Sequence, residues 1–240
     1  MLVNLRDVLP EARRKGYAVP HFDCVEDIFI RAILDVAEEE SCPVILAALG
    51  HDLGGRGIEY ISGLVRSVVG GYTVPVVLHL DHAEELELIE RAIDHGFTSV
   101  MYDGSQLPFR ENIRNTRKVV RKARLQGVSV EAELGFVGGA ELSGESSGES
   151  RLTDPAQVVE FVSETGIDAL AVSIGTSHGV YESEPELNIP RLREINRVSK
   201  VPLVLHGGSG TPDVQIVTAI RNGISKVNIY SDLRAAAMEG

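Results

Sequence analysis

The sequence is poor in several residue types, and each scarcity excludes a class of protein. Its 240 residues contain no tryptophan and only two cysteines, Cys24 and Cys42, which form no Cys-X-X-Cys pair. A disulfide scaffold is therefore excluded, and with no signal-peptide pattern ahead of the cysteines a reducing, cytoplasmic location is favoured. No apolar run approaches the ~20 residues that span a bilayer, which excludes a membrane protein.

Positive charge is also scarce. The chain has 23 Lys and Arg against 35 Asp and Glu, a formal net charge of −12. Such a chain repels nucleic acid and anionic lipid unless a local basic patch opposes the average. The densest basic segment, 110–124, spaces its charges as a helix would, and is interpreted as a solvated helix face. The sequence thus predicts no nucleic-acid partner and no membrane partner.

What the sequence does contain is a regular succession of apolar runs rich in β-branched residues. They lie at 17–22, 43–47, 74–80, 98–102, 128–133, 168–173, 201–206 and 225–230. Each gap leaves room for one helix, and helix signals occur there, such as Pro155 following Asp154 as a first-turn proline follows a cap. Eight strands alternating with helices over about 250 residues are typical of a (β/α)8 barrel, with an open doubly wound sheet as the main alternative. We predict an α/β fold, a single-domain (β/α)8 TIM barrel over residues 1–240.

Two segments interrupt this regular pattern. Residues 138–150 are rich in Gly, Ser and Glu and follow the fifth predicted strand. They are interpreted as a mobile active-site loop, with a disordered insertion as the alternative. The last predicted helix reaches only about two turns by Gly240. We expect this shortened C-terminal helix to leave a seam that a partner covers, unless the sequence is a fragment.

Histidines gather where a barrel places its chemistry. Catalytic groups of such folds lie at the carboxyl ends of strands and in the loops after them. Four of the seven histidines fall there, namely His79, His82, His178 and His206. Any one of them alone is more often an ordinary polar loop residue. Three imidazoles at one barrel mouth, however, are typical of catalytic zinc, which keeps a fourth position for water or substrate. We predict His82, His178 and His206 as metal ligands.

The other histidines point less clearly to chemistry. His79 lies on the same side of its strand as Asp81 and is expected to pack or hydrogen-bond inside the barrel. His95 is expected at a helix C-terminus, where a partial positive charge is favourable. His21 and His51 are left without a role.

A glycine-rich turn, 207–210, follows the seventh predicted strand, and Asn228 and Ser231 end the eighth. Barrels commonly bind phosphate between these two loops, through backbone N–H groups and the N-terminus of the next helix. A turn of this composition is a weak signal alone. At this position it predicts a phosphorylated substrate.

Longer motifs extend from Tyr17 to Leu233. They are HLDH at 79–82, FTSVMYDGS at 97–105, ENIRNT at 111–116, VSVEAELGFVGG at 128–139, ALAVSIGTSHGVY at 169–181, LVLHGGSGTP at 203–212 and GISKVNIYSDL at 223–233. Through these motifs, which together are highly specific, the chain resembles the class II, zinc-dependent fructose-bisphosphate and tagatose-bisphosphate aldolases.

The resemblance implies residue roles. It implies that one catalytic zinc ion is held by His82, His178 and His206. It also implies that Asp81 moves the proton of the substrate C4 hydroxyl and that Glu141, in the loop, acts at C3. Lewis-acid chemistry of this kind stabilises the enediolate formed as the C3–C4 bond breaks, without a Schiff base.

The resemblance also implies a subsite for the dihydroxyacetone-phosphate end of the substrate, with a sodium or potassium ion nearby. Its members are Gly179, Gly207, Gly208, Ser209, Asn228 and Ser231. Asp103 and Glu133 match carboxylates that orient the histidines and can hold a displaced or second metal.

The implied activity is reversible cleavage of a ketose 1,6-bisphosphate, of the fructose or tagatose type, into dihydroxyacetone phosphate and an aldehyde phosphate. A place in glycolysis or related carbohydrate metabolism, and a homodimer or homotetramer, are implied as well. Two alternatives stay open. One is a lysine-dependent aldolase acting through Lys226, the only lysine in a predicted strand. The other is a non-catalytic, shortened paralogue that serves as a partner subunit.

Departures from the family's motifs bear on the substrate. Asp23 stands where the family usually has Asn, and Leu142 stands where it usually has Asp. Residues 182–185 read Glu-Ser-Glu-Pro in place of Lys-Gly-Glu-Pro, which removes a positive charge near the site. The family also continues past Gly240.

Overall fold

The computed structural model describes residues 1–139, 150–179, 181 and 183–239, whose strands form one sheet. The strands are β1 Leu2–Val3, β2 Val19–Asp23, β3 Val44–Leu49, β4 Val76–Ala83, β5 Ser99–Tyr102, β6 Ser129–Leu134, β7 Ala169–Val172, β8 Leu203–Leu205 and β9 Ile224–Ile229. Every strand pairing is parallel, and β2 to β9 close into a ring because β4 pairs with both β3 and β5. The predicted (β/α)8 barrel is confirmed, and the open sheet is excluded.

Helices alternate with the strands along the chain. They are α1 Leu5–Lys15, α2 Asp27–Glu39, α3 Gly57–Val68, α4 Leu86–Asp94, α5 Phe109–Leu125, α6 Pro155–Thr165, α7 Ile189–Val198, α8 Asp213–Arg221 and α9 Ser231–Glu239. The Asp154 carboxylate accepts the Ala156 N–H at 2.9 Å, and α6 ends at Gly166 with a left-handed φ of 70°. A polar cap and a terminal glycine therefore set the limits of this helix, since they satisfy backbone groups that the helix leaves unpaired.

The basic segment 110–124 lies on α5, where Arg114, Arg117 and Arg121 are exposed. It is thus a solvated helix face, as the charge spacing predicts. Among the described residues, no helix combines the length and apolar character needed to cross a membrane.

Helix α1 closes the amino-terminal end of the barrel. Its apolar side chains Leu5 and Leu9 pack with Val19, Ile45 and Val77, which belong to the early part of β2, β3 and β4. This small interior core is distinct from the larger apolar layer between the sheet and the outer helices. Helix α1 therefore plugs the amino end of the barrel interior.

Along the strands, the inward-facing side chains change from apolar to polar. Successive inward residues of β4 are Val77, His79 and Asp81, and those near the end of β6 are Glu131 and Glu133, because alternate residues of a strand share one face. All five are buried. The carboxyl half of the barrel therefore holds charged and ionisable groups away from solvent.

Residues 140–149, including Glu141 and Leu142, lie outside the described residues, as do 180, 182 and 240. The predicted mobility of 138–150 and the role of Glu141 therefore stay predictions. At the border of this segment, Gly138 donates its N–H to Ser150 Oγ at 2.9 Å. The Gly138 carbonyl accepts the His178 N–H at 2.7 Å. The two borders of the segment thus meet beside His178.

Candidate active site

The three histidines predicted as ligands come together at the carboxyl end of the barrel. His82 lies near the end of β4, His178 in the loop after β7, and His206 directly after β8. Each offers one ring nitrogen, and these three nitrogens lie within 4.8 Å of one another. His82 has a left-handed φ of 44°, which is uncommon for a residue with a side chain and typical of functional positions. These three residues are called the histidine cluster below.

Carboxylates fix two of the three rings. His82 Nδ1 donates to Asp103 Oδ2 at 2.9 Å, and His206 Nε2 donates to Glu131 Oε1 at 2.8 Å. Such bonds set the tautomer, so the opposite ring nitrogens are left as ligand atoms. Those two nitrogens, His82 Nε2 and His206 Nδ1, lie only 2.6 Å apart. Two lone pairs at that distance require a shared proton, which a bound metal would replace.

The histidine cluster fits a divalent metal. His178 Nε2 is buried and has no hydrogen-bond partner among the described residues, although burying an unpaired polar atom is costly. Three imidazole nitrogens are a donor set that suits zinc and cobalt, and a fourth position is left for a substrate oxygen. The residues present therefore match the metal that a class II aldolase would hold.

The pKa values of the three histidines are shifted in different directions from the ordinary histidine value. Burial opposes a charge on His82, but Asp81 and Asp103 outweigh it and hold the pKa of His82 well above its usual value. Burial, and then the charge on His82, lower the pKa of both His178 and His206. His178 and His206 are therefore neutral, which is the form that binds metal.

Glu131 and Lys226 form a buried pair that sequence reasoning did not identify. Lys226 Nζ donates to both carboxylate oxygens of Glu131, at 2.9 and 3.1 Å, and both side chains are fully buried. Burial alone would raise the pKa of Glu131, but Lys226 and His206 outweigh it and lower that pKa. The lysine thus keeps ionised the carboxylate that orients His206. The signal in the sequence that could have revealed this pair is the presence of opposite charges at inward-facing positions of two buried strands.

Asp103 and Glu133 lie where they could hold a metal together with His82. One ligand atom from each of the three lies within 4.8 Å of the others. Glu133 Oε1 accepts the Val137 N–H at 2.8 Å, whereas Oε2 is buried with no partner among the described residues. Burial, and then the charge of Asp103, raise the pKa of Glu133 to about 8. Glu133 is therefore protonated at neutral pH when no cation is present.

Asp81 is a buried carboxylate beside the cluster. Its Oδ2 accepts a hydrogen bond from Asn228 Nδ2 at 3.1 Å and lies 3.9 Å from His82 Nε2. Burial favours the neutral acid, but His82 and His21 outweigh it and lower the pKa of Asp81 well below its usual value. Asp81 is therefore ionised and able to accept a proton.

One cleft brings the predicted phosphate residues together with this chemistry. Its lining residues are Asp23, Leu49, Asp81, His82, His178, Gly179, Gly207, Gly208, Ser209, Asn228, Tyr230 and Ser231. All six predicted phosphate residues are in this set, which also contains Asp81 and two members of the histidine cluster. Below, "the cleft" means the space that these residues line.

The loops that shape the cleft are fastened to one another. Tyr181 Oη donates to the Gly207 carbonyl at 2.8 Å and accepts the Ser177 N–H at 3.0 Å. Gly207 has a left-handed φ of 65°, and a Cβ there would collide with the Ser177 carbonyl, so glycine is required. Ser209 Oγ accepts the N–H groups of Tyr230 and Asp232, which holds the glycine-rich turn against the start of α9.

Comparison with known proteins agrees with this geometry. The sequence model of the family described as "Fructose-bisphosphate aldolase class-II" matches residues 3–240. A Bacillus subtilis protein named "Probable fructose-bisphosphate aldolase" is 43% identical over 236 residues, covering 96% of this chain and 82% of its own. "Fructose-bisphosphate aldolase" of Staphylococcus aureus (strain Mu50 / ATCC 700699) is 42% identical over 244 residues, covering 98% and 83%.

A solved structure shows the same fold. The crystal structure of the YdjI aldolase from Escherichia coli K12 superposes with a TM-score of 0.89 at 40% identity, covering 100% of this chain and 85% of that one. Family, relatives and structure together support aldolase activity, a lyase reaction. The chain belongs to the class II fructose-bisphosphate aldolase family.

Proposed function

We propose that this protein is a metal-dependent aldolase that reversibly cleaves a ketose 1,6-bisphosphate, of the fructose or tagatose type, into dihydroxyacetone phosphate and an aldehyde phosphate. The observation that carries the proposal is the convergence of the histidine cluster within 4.8 Å, since two of its members line the cleft that also contains the phosphate turn. Relatives named as fructose-bisphosphate aldolases support the same reaction.

Zinc is the proposed ion, held by His82, His178 and His206. When bound, a divalent metal polarises the C2 carbonyl of the substrate and stabilises the negative charge that develops as the C3–C4 bond breaks. Asp103 and Glu131 hold the rings of His82 and His206 in place, so the site is ordered before substrate arrives.

Asp81 is the proposed acceptor of the C4 hydroxyl proton. In the cleavage direction that proton leaves as C4 becomes the aldehyde carbon, and the electrons of the C3–C4 bond go to C3. Asp81 is ionised, lines the cleft and is oriented by Asn228, which suits a general base. Glu141 is the proposed acid that returns a proton to C3, a role that rests on the family resemblance.

Backbone groups are the proposed ligands of the dihydroxyacetone-phosphate end. No Lys or Arg is among the described residues that line the cleft, so an anion there is better bound by N–H groups and helix N-termini. Gly179, Gly207 and Ser209 line the cleft, and α9 begins beside them at Ser231. A sodium or potassium ion near these glycines is part of the proposal.

Lys226 is not proposed as a Schiff-base lysine. Its ammonium group is engaged by both oxygens of Glu131, and Lys226 is not among the residues that line the cleft. Borohydride trapping in the presence of dihydroxyacetone phosphate should therefore give no adduct at Lys226. An adduct there would favour the lysine-dependent alternative.

A cleavage assay tests the proposal. The purified chain, dialysed against EDTA, is given fructose or tagatose 1,6-bisphosphate with zinc, cobalt or no metal, and release of dihydroxyacetone phosphate is measured. We expect activity to disappear on dialysis and to return with zinc or cobalt. Cleavage that survives EDTA would contradict metal dependence. No cleavage of either sugar by the metal-loaded chain would favour the non-catalytic partner subunit.

A further inference from the structure

A second group of metal-ligating side chains lies inside the barrel. It shares no residue with the histidine cluster, and of its members only Asp81, the proposed proton acceptor, has a part in the proposed aldolase reaction. His21 on β2, together with His79 and Asp81 on β4, offers one ligand atom each, and these atoms lie within 4.8 Å of one another. All three side chains are buried. They are called the inner cluster below.

The inner cluster is rich in buried polar atoms that lack a partner. Among the described residues, His21 Nδ1, His21 Nε2, His79 Nε2 and Asp81 Oδ1 make no hydrogen bond, and neither does the neighbouring Asp23 Oδ1. Burying such atoms without a hydrogen-bond partner is costly. A group of them facing one another is difficult to explain by packing alone. It is the arrangement expected of a cation site.

The separations between these atoms suit a bound cation. His79 Nε2 lies 3.5 Å from Asp81 Oδ1, and His21 Nε2 lies 3.6 Å from Asp81 Oδ2. A tetrahedral ion with ligands at about 2.1 Å places those ligands about 3.4 Å apart. Both separations are longer than a usual hydrogen bond.

One bond orients His79 for this role. Its Nδ1 pairs with Ser99 Oγ at 2.7 Å, which leaves Nε2 directed toward Asp81. A hydrogen bond on the far ring nitrogen is the arrangement typical of metal-bound histidines. Asp23 Oδ1 lies 3.2 Å from His21 Nε2 and adds a second carboxyl group beside the ligands. Two carboxyl groups can balance the charge of a divalent ion.

We propose that His21, His79 and Asp81 bind a second divalent cation, of the zinc or cobalt type, with Asp23 beside it as a fourth oxygen donor. Two imidazoles and carboxylate oxygens are a donor set suited to these metals. Asp23 and Asp81 also line the cleft, which gives the ion a route from solvent. The inner cluster is separate from the group formed by His82, Asp103 and Glu133.

Metal counting tests this proposal without using aldolase activity. The metal-free 240-residue chain is saturated with zinc or cobalt, freed of excess by gel filtration, and analysed by mass spectrometry. We expect two ions per chain for the wild type, one for His21→Ala, and one for His82→Ala, because His82 belongs both to the histidine cluster and to the group with Asp103 and Glu133. The double variant should bind none. His95→Ala, which changes a histidine at the end of α4, should keep two.

Several results would overturn the second site. The first is a single ion per wild-type chain at saturation, which needs no variant to fold. Another is two ions retained by a folded His21→Ala, because that would place the second ion elsewhere, for example at Asp103 and Glu133. If His21→Ala does not fold, His21→Gln and the visible absorption of the cobalt form replace it, and an unchanged cobalt spectrum would count against the site. If a chain with one bound ion cleaves the substrate and a chelator abolishes that cleavage, the second site is ruled out but the proposed aldolase function is not.

Discussion

The two ends of the barrel interior are built from the same strands but differ in chemistry. At the amino end, α1 presses Leu5 and Leu9 against Val19, Ile45 and Val77, and the interior is apolar. Two residues further along β4 the interior becomes polar, with His79 and then Asp81. Apolar burial stabilises the first end, whereas the second end holds charges that must be balanced by one another or by a metal. One end stabilises the fold, and the other end holds the candidate active site.

The largest effect that separates the two ends is expected from His178→Ala. This change removes one ligand of the histidine cluster, and Lewis-acid stabilisation is worth several kcal/mol, so cleavage should fall by roughly 1,000-fold. Bound metal and steady-state rates are measured together. His95→Ala serves as the control, since His95 caps α4 on the outside of the barrel. Equal losses in both variants would contradict the assigned role.

Asp81→Asn should come next. It keeps the size of the side chain but removes the proposed proton acceptor, and loss of a general base lowers rates by about 100- to 10,000-fold. The ion at the histidine cluster should remain, as judged by metal analysis of the His21→Ala background, in which only that ion is expected. Loss of that ion together with the rate would show that Asp81 is a ligand of the cluster and not its base.

Lys226→Met tests whether the charged end depends on internal balance. It leaves Glu131 buried with no cation, and breaking a buried ion pair costs about 3–5 kcal/mol. The midpoint temperature of thermal unfolding should fall by roughly 10 °C for a domain of this size. Lys118→Met, on the exposed face of α5, is the matched control and should change little. A Lys226→Met protein as stable as the wild type would show that buried Glu131 does not need the charge of Lys226.

Leu9→Ala probes the apolar end. Leu9 is fully buried in the plug, and truncating such a leucine costs about 2–5 kcal/mol. The folded variant should keep the wild-type kcat and metal content, because Leu9 packs within the apolar plug and not against the proposed metal ligands or the residues that line the cleft. Leu125→Ala, at an exposed position on α5, is the control. A large fall in kcat for folded Leu9→Ala would contradict the view that the apolar end stabilises the fold without contributing to catalysis.

The smallest effect concerns pH in the metal-free chain. Burial raises the pKa of Glu133 to about 8, so its folded form binds a proton more tightly than its unfolded form. Such a group contributes stability that is fully present below its unfolded pKa, about 4.3, and is lost as pH rises toward 8. Compared with Glu133→Gln, the wild type should lose about 1–3 kcal/mol between pH 5 and pH 8. Parallel pH profiles for the two proteins would contradict this.

Much of the fold could be predicted because its cause is local. The eight barrel strands lie where β-branched runs occur, and α6 begins where Asp154 and Pro155 predict it. The plug could not be predicted, because nothing in residues 5–15 shows that this helix covers the barrel's open end. Its position depends on distant contacts, such as Arg13 Nη1 to the Val201 carbonyl at 3.0 Å.

The candidate site divides in the same way. Strand-end histidines and the glycine-rich turn are visible in the sequence because their places in the strand order are fixed. The partners of those residues are not visible, since Glu131 and Lys226 meet only when β6 and β9 face each other across the barrel. The environment of His21 likewise depends on its distance from β4 side chains, which no sequence spacing reveals.

Anomalous diffraction from crystals of the zinc-loaded chain tests the central claim most directly. The account predicts a peak at the zinc edge about 2.0–2.1 Å from one nitrogen of each of His82, His178 and His206. A zinc-loaded crystal with no peak bounded by those three side chains would contradict it.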